Sequence, residues 1–175
     1  MIARFLAPAF AAAFVASTAS AALVYDEGVS GDLSNAEATP TDIGTLSLGS
    51  NTVTASVFGR DNFRFALPAG TAIGSIILDA FSDAVTPTNT TAFELASGTE
   101  MVSPAPITGI MGASFITNDV IFGQPDLGDS NYSIQFVEFG TESTLTIDIV
   151  VVPEPASLAL LGLGGLAALA RRRRA

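Results

Sequence analysis

Three stretches of this 175-residue chain carry side chains whose types and spacing could do chemistry. Asn118, Asp119, Asp126, Asp129 and Asn131 crowd a segment around a Gly/Pro loop, and Asp26, Glu27 and Asp32 crowd the segment before the first strands. Calcium takes oxygens from carboxylates, amides and backbone carbonyls. Asp119, Asp126 and Asp129 are therefore candidate Ca²⁺ ligands. Neither cluster has the spacing of an EF-hand or of the nonapeptide calcium repeats, and the competing reading of both is a solvated acidic loop. The third stretch is Pro153-Glu154-Pro155. Its two prolines hold the backbone extended and keep it out of helix.

What the chain lacks narrows the chemistry. There is no Cys, and so no disulfide, thiolate metal site or cysteine nucleophile. Without His there is no Ser-His-Asp triad and no imidazole ligand, and without Lys a Ser nucleophile lacks its remaining usual base. No Gly-x-Ser-x-Gly elbow or phosphate-cradling glycine loop occurs. A carboxylate pair could hydrolyse a glycosidic bond, but pairs of surface acids usually serve solvation. The expectation is a non-catalytic protein that needs no cofactor, with Ca²⁺ as the one candidate ion. A net charge of −10 argues against nucleic acid as a partner.

The two ends position the rest. Arg4, the apolar stretch from Phe5 to Val15 and the small residues Ser17 to Ala22 have the order of a secretory signal. Ala19-Ser20-Ala21 is an A-x-A site that places cleavage after Ala21, so 1–21 is the signal peptide and the secretion translocon and signal peptidase are its partners. At the other end, 156–170 is apolar apart from one Ser and is followed by Arg171, Arg172, Arg173 and Arg174. As a helix it spans about 22 Å at ~1.5 Å per residue. Snorkelling arginines make up part of the difference from a bilayer core about 30 Å thick, and they set that end on the cytoplasmic side.

Between the ends, residues 22–152 form one domain with a single core. Sixteen carboxylates against Arg60 and Arg64 give it a charge of −14. Period-2 patterns dominate: Val53, Ala55 and Val57; Phe63, Phe65 and Leu67; Tyr132, Ile134 and Phe136, alternating with Ser133 and Gln135; and Leu145, Ile147, Ile149 and Val151. Residues 73–81 and 113–122 are more continuously apolar and read as buried strands, while 39–45 and 99–109 read as loops. Arg60 and Arg64, flanking Asp61, read as a surface charge cluster. Short strands separated by turn signals predict an all-β domain, a single β-sandwich or jelly roll, flanked by an N-terminal signal helix and a C-terminal transmembrane helix.

The tripartite tail over 153–175 resembles the PEP-CTERM sorting signal of Gram-negative bacteria that make exopolysaccharide. That resemblance implies recognition of Pro153, Glu154 and Pro155 by exosortase, a membrane-embedded cysteine protease, with the inner membrane as a transient stop before the cell surface or extracellular matrix. The stretches Gly31-Asp32-Leu33-Ser34-Asn35, Leu48-Gly49-Ser50-Asn51-Thr52-Val53 and 61–71, with the final strand Leu145 to Val152, resemble bacterial pre-peptidase C-terminal domains. Those are non-catalytic jelly-roll modules, some of which bind calcium or polymers. The implied role is a structural or adhesive surface protein. The alternatives are a calcium- or glycan-binding module of the exopolysaccharide matrix and a secreted glycan hydrolase.

Overall fold

A computed structural model of the chain describes residues 21–83, 90–101, 105–122, 128–154 and 162. The signal segment, Ala19 and Arg171 to Arg174 lie outside them, as does nearly all of 156–170. Among the described residues, no helix is long and apolar enough to cross a membrane.

The body is nearly all strand. Its spine is the last strand, β7 (Asn131–Pro153), lined antiparallel from end to end by β3 (Gly49–Ala66), with Gly49 opposite Val151 and Ala66 opposite Asn131. Eighteen residues of strand run about 60 Å at ~3.3 Å each, more than a domain of this size is wide. The pair therefore has to bend. It does so at one place, where Val57 faces Ser143 but Gly59 faces Glu138, so that β7 carries extra residues through the break. Gly59 sits there at φ +89°, a conformation that a side chain would oppose.

The bend divides one sheet into two facing halves. Over the second half of β7 lies β4 (Thr71–Asp83), and over the first half lies β5 (Thr90–Ser97), which pairs in turn with β6 (Ile107–Gly112). The far edge of β3 is covered twice by parallel pairing: β1 (Ala22–Asp26) lies along Asn51–Thr54, and β2 (Thr41–Thr45) along Phe63–Ala66. At the opposite side, Thr117 N donates to Leu78 O (2.7 Å) and Val120 N to Ile76 O (2.8 Å), which nearly closes the sheet into a barrel. Closure of this kind satisfies edge groups that would otherwise template another chain.

Apolar side chains from both halves meet inside. Phe63, Phe65, Phe93, Tyr132, Ile134 and Phe136 come from one half, and Val53, Val57, Ile76, Leu78, Leu145, Ile147 and Ile149 from the other, all buried in one cluster. The rings interlock, with centroids 5.7 Å apart for Phe63 and Phe136 and 5.8 Å for Phe65 and Tyr132. The all-β expectation is met. Its two layers are halves of one folded sheet.

Four local expectations change. Residues 41–45 form β2 because the exposed edge of β3 recruits them, and β6 begins at Ile107 inside a stretch expected to be loop. Residues 73–81 do lie in a strand, yet only Ile76 and Leu78 are fully buried, so β4 is half-exposed. The apolar run 113–122 is not a buried strand. It makes a 3₁₀ turn (Ala113–Phe115) and a bridge to β4, leaving Phe122 85% exposed. The Asp119 Oδ1 decides this, accepting from the amides of Ile76 (3.0 Å) and Ile121 (3.1 Å) and so capping a turn.

Candidate functional site

The Pro-Glu-Pro stretch begins where the folded sheet ends. Pro153 is the last residue of β7, opposite Thr71 on β4, and a proline suits a strand terminus because no further ladder donor is needed there. Glu154 N donates to Gly70 O (3.0 Å), so the turn after β3 holds the backbone of the motif. Pro153 and Glu154 are both exposed; Pro155 lies outside the described residues. No spacer separates the core strand, in which Val151 is buried, from the exposed glutamate three residues on. At the other end, Ala21 is exposed and immediately precedes β1.

The acids expected to bind calcium divide differently. Asp126 lies outside the described residues. Asp119 spends its Oδ1 on the two backbone amides that seal β4, and Asp129 Oδ1 accepts from Ser130 N (2.7 Å) and Asn131 N (3.2 Å) at the start of β7. Both work as turn caps.

A tighter cluster forms from the second acidic segment. After β1 the chain makes one helical turn, α1 (Glu27–Ser30), whose N-terminus is capped by Asp26 Oδ1 accepting from Gly28 N (2.9 Å). It then crosses the gap between β1 and β2 on the edge of β3. In that gap β3 has amides without strand partners, and the Glu27 carboxylate takes their place. Its Oε2 accepts from Ser56 N and its Oε1 from Leu33 N (2.7 Å). Asp32 follows on the same crossing, and Asp61 comes from β3 itself. One carboxylate oxygen from each of Glu27, Asp32 and Asp61 lies within 4.8 Å of the others.

Asp61 was expected at the surface beside its arginines and is instead 2% exposed. Arg60 pairs with Glu37, and Arg64 Nη2 pairs with Asp42 Oδ2 at 3.1 Å, so neither guanidinium neutralises it. Burial, and then the negative charges of Glu27 and Asp32, push the Asp61 carboxyl up to about 7, opposed by the Phe58 backbone amide. Burial also raises Glu27, against the Ser56 and Leu33 amides. Tyr25 is raised by burial and then by Glu27 and Asp32, and its hydroxyl donates to Gly31 O (2.6 Å). The signal for Asp61 was present in the sequence: it shares strand parity with Phe63 and Phe65. On the other parity, Asn62, Ser133 and Gln135 are also buried, with Gln135 Nε2 donating to Asn62 Oδ1 (2.8 Å) and Asn62 Nδ2 to Ser34 O (2.9 Å). The crossing segment covers that face, which alternation alone leaves open to water.

Residues 151–174 match the family model of the PEP-CTERM protein-sorting motif. The motif marks a chain for export to the cell surface or extracellular space of Gram-negative bacteria and for processing by exosortase, a membrane protease. This chain is thus an exosortase-targeted secreted protein carrying a β-rich body. No curated protein matches it.

Proposed function

We propose that the chain is a non-catalytic surface or matrix protein whose β domain is the cargo and whose tail is a removable address. The translocon exports it, signal peptidase cuts after Ala21, and the C-terminal segment holds it briefly at the inner membrane. Exosortase then acts at Pro153-Glu154-Pro155, and the domain finishes on the surface or in the exopolysaccharide as a structural or adhesive component.

The observation that carries this reading is the join at β7. The matched motif starts inside the last core strand, and Pro153 and Glu154 stand exposed at the sheet rim. A cut on the C-terminal side of Pro153 would leave every strand pairing in place. The absence of His, Cys and Lys, and the use of Asp119 and Asp129 as turn caps, support a non-catalytic role.

Intact-mass measurement of the protein recovered from its host tests the reading. The mature wild-type protein is expected to begin at Ala22 and to lack Arg171 to Arg174. Glu154→Ala is expected to keep the tail and stay with the membrane while melting at the wild-type temperature, since that side chain is exposed. A wild-type protein that still carries its arginines overturns the proposal.

A further inference from the structure

Three carboxylates gathered at a sheet edge are in themselves only an acidic patch. Two observations make this cluster different. Asp61 is 2% exposed, and its Oδ2 has no hydrogen-bond partner among the described residues, although its carboxylate belongs to the cluster. A buried carboxylate oxygen without a donor costs free energy that native structures rarely leave unanswered. One oxygen from each of the three carboxylates also lies within 4.8 Å of the others, and a positive charge among them would offset their mutual repulsion. Among the described residues no side-chain cation supplies it, because Arg60 and Arg64 are engaged elsewhere.

We propose that Glu27, Asp32 and Asp61 form a binding site for one Ca²⁺ ion, which ties the β1–β2 crossing to the bend of β3. The donors are all oxygens, which selects a hard cation over zinc or copper. Asp61 closes the inner side, Glu27 is held by two backbone amides, and Asp32 lies at the exposed rim, where water completes the six to eight ligands that calcium takes. Ca²⁺ suits the site better than Mg²⁺, since an irregular set from three chain positions does not offer an octahedron. The site rests on its own geometry; the export reading supplies only the compartment in which calcium is available. A failure of tail processing therefore leaves the site standing, and the reverse holds too.

The test uses full-length protein in mild detergent, stripped with EDTA and melted with and without CaCl₂ at constant ionic strength. Calcium at about 100 times its dissociation constant is expected to raise the melting temperature by at least about 5 °C. Asp61→Asn is expected to melt higher than wild type without calcium, having lost a buried charge, and to show no calcium shift. Asp32→Asn, at the exposed rim, keeps the test decisive should the buried variant not fold; its calcium affinity is expected to fall at least about tenfold. Terbium in place of calcium is expected to emit on tyrosine excitation, with the emission lost in Tyr25→Phe while that variant keeps its calcium shift. An unchanged wild-type melting temperature overturns the proposal. A calcium shift that survives in both Asp61→Asn and Asp32→Asn overturns it as well, by placing the ion elsewhere.

Discussion

Asp61 sets the pH response of the body in the absence of divalent cations. Its carboxyl titrates at about 7 in the folded chain and near 3.8 when unfolded, so between those values the folded state holds a proton that the unfolded state has released. Stability then falls as pH rises from about 4 to 7 and levels off above, by at most roughly 4 kcal/mol at ~1.4 kcal/mol per unit. The raised Glu27 acts in the same direction. Thermal melts in EDTA from pH 4 to 8 should show this decline, and Asp61→Asn should flatten most of it. A melting temperature that instead rises through this window would contradict the burial of Asp61 as an unpaired acid.

At the scale of elements, the bend between Val57 and Gly59 is where local chemistry and global shape meet. Gly59→Ala places a Cβ at φ +89° and is expected to destabilise the domain by about 1–2 kcal/mol even though the space around it is open. Denaturant unfolding measures that loss. Thr117 is a second strained position: φ is +71° for a β-branched residue, at the turn whose amide donates to Leu78 O. Thr117→Asn tolerates the conformation better and is expected to stabilise by roughly 0.5–1 kcal/mol, read as a higher urea midpoint with unchanged slope. Gly59 and Thr117 share a cause. Each is set by pairing with a neighbouring strand, β7 for Gly59 and β4 for Thr117; glycine accepts the conformation freely, and the β-branched Thr117 does not.

Over the whole molecule, charge and core oppose each other. Sixteen carboxylates against two arginines in 22–152 repel one another, so added NaCl is expected to raise the melting temperature steadily up to about 0.5 M, as screening shortens the reach of that repulsion. The aromatic cluster of the half-sheet built on β5 and the first half of β7 supplies the counterweight. Phe136 touches both Phe63 and Phe93, and Phe136→Ala is expected to cost about 3–5 kcal/mol. A loss below about 1 kcal/mol by denaturant unfolding would show that this aromatic cluster does not carry the core.

Much of this was legible in one dimension. The alternation around Val53, Phe63, Tyr132 and Leu145 follows from the two-residue period of a pleated strand, and all four residues are buried in the observed strands β3 and β7. The tail was legible because its motif is contiguous in the sequence. What folding alone decided is non-local. The parity of Asp61 with Phe63 points it inward, but only the crossing from β1 to β2 brings Glu27 and Asp32 to it, 34 and 29 residues earlier in the chain. The run 113–122 looked like a strand until Asp119 found the amide of Ile76, 43 residues away. Sequence pattern determined which residues seek the interior and where the chain is addressed. The crossing from β1 to β2 over the edge of β3 determined which acids must share a space, because that placement depends on where the two strands pair with β3 and on no local preference.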